Sequence, residues 1–249
     1  TGMEYSLSTN TDIYLYDLAS GQTRNITEGM GGYDTHPRFS PDGKRISWIS
    51  MERDGYEADL KRLFVQDLKT GQKTFLTDGF EYDVDELQWS ANSQSLFFLS
   101  TKHAEAQLWE IALKGRKIRQ ITTGMHDYTS LDVQGGKILA GRQSYIEPTD
   151  LYLVDVKTGV AKQLTAENKS TLDGLALISV EKRWVKTTDG GNMLVWVVLP
   201  PNFDKMKKYP ALLFCQGGPQ SPVSQFFSYR WNMRLMAEQG YIVIAPNRH

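Results

Sequence analysis

The sequence has a single cysteine, Cys215. That excludes an intramolecular disulfide framework and any multi-thiolate metal site. A charge surplus is lacking too: 28 Lys plus Arg face 29 Asp plus Glu, a formal net charge of −1. Nothing in that balance points to nucleic acid or an anionic membrane surface as partner. Long hydrophobic runs are also missing. The longest, Met193 to Pro201, falls far short of the ~20 apolar residues that span a bilayer, and no charged-then-apolar signal opens the chain. What remains is ordinary globular composition, with 249 residues, 40% hydrophobic and 11% aromatic, enough for one large or two modest domains. The chain begins Thr1-Gly2-Met3 and stops at His249 straight after an apolar run, and is expected to be cut from something longer.

Self-similarity is plain. Tyr14-Leu15-Tyr16-Asp17-Leu18-Ala19-Ser20-Gly21 recurs as Phe64-Val65-Gln66-Asp67-Leu68-Lys69-Thr70-Gly71 and as Tyr152-Leu153-Val154-Asp155-Val156-Lys157-Thr158-Gly159, with a weaker copy at Trp109 to Gly115. Each copy is followed by a threonine, Thr27, Thr77, Thr122 and Thr165, at intervals of 50, 45 and 43 residues. Short aromatic and β-branched strands repeating in the forties predict four-stranded propeller blades. The Asp-x-x-x-Gly segments read as hairpin turns, in which Asp bonds its own backbone and Gly takes the left-handed conformation. Ser40-Pro41-Asp42-Gly43 reads as the next hairpin, between strands Pro37 to Phe39 and Arg45 to Ser50; Ala91-Asn92-Ser93 and Gln134-Gly135-Gly136 hold its place in later units. Four units ending near Ile178 predict an incomplete β-propeller of about four blades over 1–178, with further blades expected on its N-terminal side.

After Ile178 the pattern changes. Val180 to Thr187 and Met193 to Leu199 predict a hairpin around Asp189-Gly190-Gly191. Ala211 to Cys215 is continuously apolar, as in a parallel strand buried on both faces. A Gly-Gly-Pro turn follows, and Phe227, Trp231 and Leu235 then predict an amphipathic helix over 224–239, with Gly240 at its C-cap. Tyr241 to Ala245 is another apolar strand, so the run reads as a βαβ unit. Residues 179–249 are therefore expected to open an α/β domain.

That order of parts, with Phe214-Cys215-Gln216-Gly217-Gly218-Pro219-Gln220-Ser221 after an apolar strand, resembles the prolyl oligopeptidase family of serine peptidases, in its dipeptidyl-peptidase 5 and acylaminoacyl-peptidase branches. The resemblance covers essentially the whole chain. It implies a propeller joined to an α/β-hydrolase domain, a Ser/Asp/His triad, hydrolysis of short peptides through an acyl-enzyme, and no metal or organic cofactor. Backbone N–H groups fixed in a dry site stabilise the oxyanion of acyl transfer, and by resemblance Gly218, with Gly217 beside it, would supply one of them. Gln216 stands where relatives carry His or Tyr. Taken alone, a Gly-Gly-Pro is a tight strand-to-helix turn of no catalytic meaning; the surrounding parts favour the oxyanion loop.

No Gly-x-Ser-x-Gly elbow occurs in the chain, and in α/β hydrolases Asp and His follow the Ser. The triad is thus absent, and the chain by itself is expected to be inactive. Pro246-Asn247-Arg248-His249 lies where relatives have a Pro-Asn-x-Arg-Gly run, which puts His249 at the arginine position. The resemblance further implies short peptide substrates, with self-association left open, and favours the periplasm, the cytoplasm being the other compartment considered. The reading from another class is a non-enzymatic TolB-like binding propeller, against which stands the βαβ unit.

Other residues invite chemistry but have simpler readings. Cys215 reads as a small apolar residue of a buried strand, with no His placed to activate it. His36, His103 and His126 lack metal-ligand spacing and read as structural or surface residues. Glu81, Asp83, Asp85 and Glu86 could anchor a peptide amine or bind Ca²⁺, as could Glu52, Asp54, Glu57 and Asp59; both groups read as solvated loop faces. Tyr56, Tyr82, Tyr128 and Tyr145 are expected to pack between strands rather than line a tunnel.

Overall fold

The repeats close as short antiparallel sheets because each copy of the motif satisfies its own turn. A computed structural model describes residues 8–217 and 221–248. β1 (Tyr14–Tyr16) and β2 (Thr23–Asn25) form a two-stranded sheet. β3 (Asp34–Phe39), β4 (Arg45–Ser50), β5 (Arg62–Asp67) and β6 (Lys73–Phe75) form a four-stranded meander. Two more follow: β7 (Asp85–Trp89), β8 (Ser95–Lys102), β9 (Glu105–Ala112) and β10 (Ile118–Gln120), then β11 (Asp127–Gln134), β12 (Lys137–Ser144), β13 (Glu147–Asp155) and β14 (Ala161–Gln163).

The turn chemistry is the same in each full copy. Asp17 Oδ1 accepts the N–H groups of Ala19 and Ser20 at 3.0 and 2.7 Å, Asp67 those of Lys69 and Thr70, and Asp155 those of Lys157 and Thr158. These bonds, led by the Ser20 and Thr70 N–H groups, hold Asp17 and Asp67 below the usual carboxylate range. Gly71 closes its turn at φ 75°, which a side chain would resist. The repeated threonine has a distinct task. Its hydroxyl accepts a backbone N–H from 14 residues upstream: Ile13 to Thr27 at 2.9 Å, Leu63 to Thr77 at 3.0 Å, Leu151 to Thr165 at 2.9 Å. It thereby satisfies the strand where regular pairing runs out. The second hairpin is also built alike in two copies, with the hydroxyls of Ser40 and Ser90 donating to Asp42 and Asn92 at 2.6 and 2.8 Å.

Two compact units emerge. One comprises Thr1–Ser100, Leu108–Ile121 and Leu131–Lys137; the other Thr101–Gln107, Thr122–Ser130 and Ile138–His249. In the first, β4 is buried from Ile46 to Ser50 and β8 from Leu96 to Ser100, and Trp48, Leu63, Leu96 and Phe98 are wholly buried. Trp48 stacks on Phe64 and Phe64 on Phe75, at 5.6 and 5.1 Å between centroids.

In the second unit, α1 (Lys169–Asp173) precedes a mixed sheet of β15 (Ser179–Lys186), β16 (Asn192–Leu199), β17 (Ala211–Leu213) and β18 (Ile242–Pro246), in the order β15-β16-β18-β17. The hairpin β15–β16 forms as expected, and β17 pairs parallel with β18, Ala211 opposite Ile242. The strand buried on both faces, however, is β16. Leu194, Trp196 and Val198 enter one apolar cluster while Val195, Val197 and Leu199 enter another. β17 is the last strand of the sheet, and Leu213 is 64% exposed. An unbroken apolar run marks burial on both faces only for a strand with neighbours on both sides.

The helix expected over 224–239 is shorter. Only α2 (Met233–Glu238) forms, capped by Asn232, whose Oδ1 accepts the Leu235 N–H at 3.0 Å. Its buried face is Met233, Arg234 and Ala237, while Trp231 and Leu235 are exposed. Upstream, the Trp231 N–H goes to the Ser228 hydroxyl at 2.9 Å instead of a helical carbonyl, and Asn232 is extended at ψ 105°, so no helical turn leads into the cap. Gly240 does end α2 at φ 90°. No helix among the described residues is long and apolar enough to cross a membrane.

Candidate functional site

Pairing of β17 with β18 continues one residue past the strand, the Phe214 N–H donating to Ile244 O at 2.8 Å. Cys215, Gln216 and Gly217 then leave the sheet. Gly218 lies outside the described residues, as do Pro219, Gln220 and His249. Of the two described members of the expected oxyanion loop, Gln216 is half-buried and Gly217 is exposed. A Cβ added at Gly217 would meet nothing within 4 Å, and its φ is not left-handed. Neither packing nor backbone strain therefore requires glycine there; what its bareness leaves open is the approach to its own backbone.

Two clefts flank this turn. One, of about 480 Å³, is bordered by Leu212, Trp231, Met236 and Val243. The other, of about 490 Å³, is bordered by Met193, Ser221, Asn247 and Arg248. Phe214, Cys215 and Gln216 belong to both. Both volumes are of the size that holds a small ligand. Cys215 is exposed, contrary to its reading as a buried strand residue, because β17 ends at Leu213 and the thiol sits in the turn beyond it.

The polar frame around the turn went unrecognised in the sequence. Asn247 Oδ1 accepts the Val223 N–H at 2.7 Å and its Nδ2 donates to Val223 O at 3.1 Å, while Trp196 Nε1 donates to the same carbonyl at 3.0 Å. Arg248 donates to Gln216 O at 3.3 Å and to Ser221 O at 3.1 Å. The Pro-Asn-Arg run was the available signal, placed by resemblance but without a role. Asp127, at the start of β11, accepts the Ala106 N–H at 2.9 Å and also bonds Ser224 and Gln225. Burial outweighs those bonds and pushes its carboxyl up to about 6. Tyr145 packs edge-on against Trp196 and Phe226, and burial raises its phenol above the usual range.

The histidines do not converge. His36 is exposed, His103 meets the Trp184 ring edge-on at 5.5 Å, and burial, then the Arg142 charge, push His126 down to about 4. Among the described residues no group of three or more His, Cys, Asp or Glu is placed to hold a metal ion. The acidic groups divide. Asp59 is no solvated residue: it is buried, and the N–H groups of Glu52, Arg53 and Leu60 with the Arg62 guanidinium overcome its burial and hold it at about 2. Asp83 accepts the Lys61 N–H, and burial raises its carboxyl. Asp85 pairs with Lys61 Nζ at 2.6 Å. Tyr128 and Tyr145 are buried as expected, whereas Tyr56 is exposed beneath the Arg53 guanidinium.

The sequence pattern of the TolB beta propeller domain family matches residues 3–179. Over all 249 residues the chain is 66% identical to a protein named Dipeptidyl-peptidase 5 from Porphyromonas gingivalis and 60% identical to one of the same name from Porphyromonas endodontalis. It covers 36% of each, so the chain spans about a third of the length of these curated relatives. Among solved structures, an acylaminoacyl peptidase from Pyrococcus horikoshii matches 94% of this chain and 35% of its own at a TM-score of 0.76 and 22% identity, a likeness of fold.

Proposed function

We propose, since the chain belongs to the TolB beta propeller domain family, that it is the propeller-to-hydrolase portion of a longer serine peptidase cleaving short peptides through an acyl-enzyme. The observation that carries this reading is 66% identity to a dipeptidyl-peptidase across the whole chain, the glycine turn included. In this reading the two-stranded sheet and the three four-stranded meanders are four blades, and β15 to β18 with α2 open the α/β-hydrolase domain. A purely binding propeller finds less support, because it has no use for β17, α2 and β18, and the family pattern stops at residue 179, before them.

The turn after β17 supplies electrostatics rather than a nucleophile. As a serine attacks a peptide carbonyl, charge gathers on the oxygen, and N–H groups already in place stabilise it by several kcal/mol. Gly218, with Gly217 beside it, takes that role here, and the open space around Gly217 lets the substrate backbone approach. Gln216 borders both clefts and is assigned to the same loop. No Gly-x-Ser-x-Gly occurs in the chain, so the attacking serine, with its Asp and His, belongs to the longer protein. Dipeptidyl or acylated termini are the assigned substrates, the propeller limiting entry to short or unfolded peptides. The periplasm is the proposed compartment, and cell fractionation checks it.

Intact mass before and after a fluorophosphonate tests the reading. One covalent adduct is expected on the longer protein and none on the 249-residue chain. No adduct on either overturns the peptidase in favour of the binding module.

A further inference from the structure

The backbone from Ser221 to Gln225 has no regular structure, so its buried N–H and C=O groups need partners from elsewhere. At Val223, which is 2% exposed, the partner is a side chain. The Asn247 carboxamide presents one acceptor and one donor to the Val223 N–H and C=O at 2.7 and 3.1 Å, as a neighbouring strand would. The chemistry of the site selects this residue: Asp would set a carboxylate against the Val223 carbonyl, and Leu would leave both groups unpaired. Asn247 is itself fixed, being buried at the end of β18 with its N–H on Leu194 O at 2.8 Å. The next residue, Arg248, reaches both flanks of the turn. Its two terminal nitrogens donate to Gln216 O and Ser221 O, so one rigid guanidinium fork spans from the residue before the glycines to the residue after Gln220.

The geometry points to Asn247 and Arg248 as positioning residues, which set the backbone on both sides of the glycine turn without touching substrate. The role rests on the reading of that turn as an oxyanion loop. A buried side chain fixes one flank against the core, and an exposed one ties the flanks to each other. Where N–H groups stabilise a developing charge, a displacement of about 1 Å costs on the order of a hundredfold in rate.

The test uses the longer protein to which the chain is assigned, with Arg248→Ala, Arg248→Lys and Asn247→Asp. Arg248 is exposed, so its variants remain informative even if Asn247→Asp unfolds the sheet. For Arg248→Ala, kcat on a dipeptidyl chromogenic substrate is expected to fall about ten- to a hundredfold, with KM held within about twofold. Arg248→Lys should recover part of the loss, since one ammonium reaches a single carbonyl more readily than two. Hydrogen exchange across residues 214–226 should quicken in every folded variant, with the antiparallel meanders unchanged. An unchanged kcat in Arg248→Ala, in a wild type that the fluorophosphonate labels, overturns the inference. A wild type that is not labelled overturns the peptidase reading itself, and the positioning role with it.

Discussion

Asp127 makes the stability of its unit depend on pH in a direction opposite to that of most carboxylates. It is 3% exposed, and its carboxyl is pushed from an ordinary 3.8 to about 6, first by burial and despite bonds from Ala106, Ser224 and Gln225. At about 1.4 kcal/mol for each pH unit between those values, the folded state favours the protonated form by roughly 3 kcal/mol. The folded pKa is raised, so this stabilisation is fully present below 3.8 and is lost as pH rises through about 6. Asp127→Asn carries no proton to lose. Urea unfolding of the variant and the wild type should therefore diverge with pH. The stability of the variant minus that of the wild type should rise by about 3 kcal/mol from acid to neutral pH. With a denaturant slope of about 2 kcal/mol/M, that is a midpoint difference changing by roughly 1.5 M urea. Asp59, held at about 2, and His126, pushed down to about 4, titrate alike in both proteins and cancel. A difference that stays flat across this range would refute the account of Asp127 as a carboxylate buried against its own charge.

Two smaller perturbations probe the repeats and the turn. Thr77→Val removes the acceptor of the Leu63 N–H while keeping the volume, and should cost about 1–3 kcal/mol in urea unfolding; Thr77→Ser should cost much less, and equal stability of all three would show that the hydroxyl does no structural work. Cys215 should react with a chromogenic disulfide reagent in the native chain to release one equivalent of thiolate; a reaction that waits for denaturant would return the residue to the buried strand that its apolar neighbours suggested.

What could be read without a structure was what depends on near neighbours in the chain. The Asp-x-x-x-Gly turns form from residues within four positions of one another, and Asp17, Asp67 and Asp155 bond their own loops as their repetition predicts. The recurring threonine was visible as a repeat, but its purpose, holding an N–H 14 residues upstream, required the strands to be folded against each other. The hairpin β15–β16 and the parallel pair β17–β18 were likewise legible, since alternation, glycine turns and unbroken apolar runs each mark a local backbone state. The candidate turn was found by its glycines and their resemblance.

The frame of that turn was not legible, and the reason is distance. Asn247 and Val223 are 24 residues apart, and Arg248 and Gln216 are 32 apart. No periodicity links a carboxamide at a strand end to the amide it completes. The helix is shortened by a nearer cause, the Trp231 N–H bonding the Ser228 hydroxyl and the extended Asn232 capping α2, which the apolar stripe of Phe227, Trp231 and Leu235 does not report. Burial, like the frame of the turn, is decided by distant parts of the chain. Ala211-Leu212-Leu213 and Leu194-Val195-Trp196 are equally apolar, yet only the second lies between two other strands. Sequence by itself determined the repeats, their turns and the kind of each strand, because short-range hydrogen bonding and side-chain alternation are written residue by residue. Only the tertiary structure decided which strand is central, which thiol meets solvent and which side chains hold the glycine turn, because those depend on what the rest of the chain brings alongside.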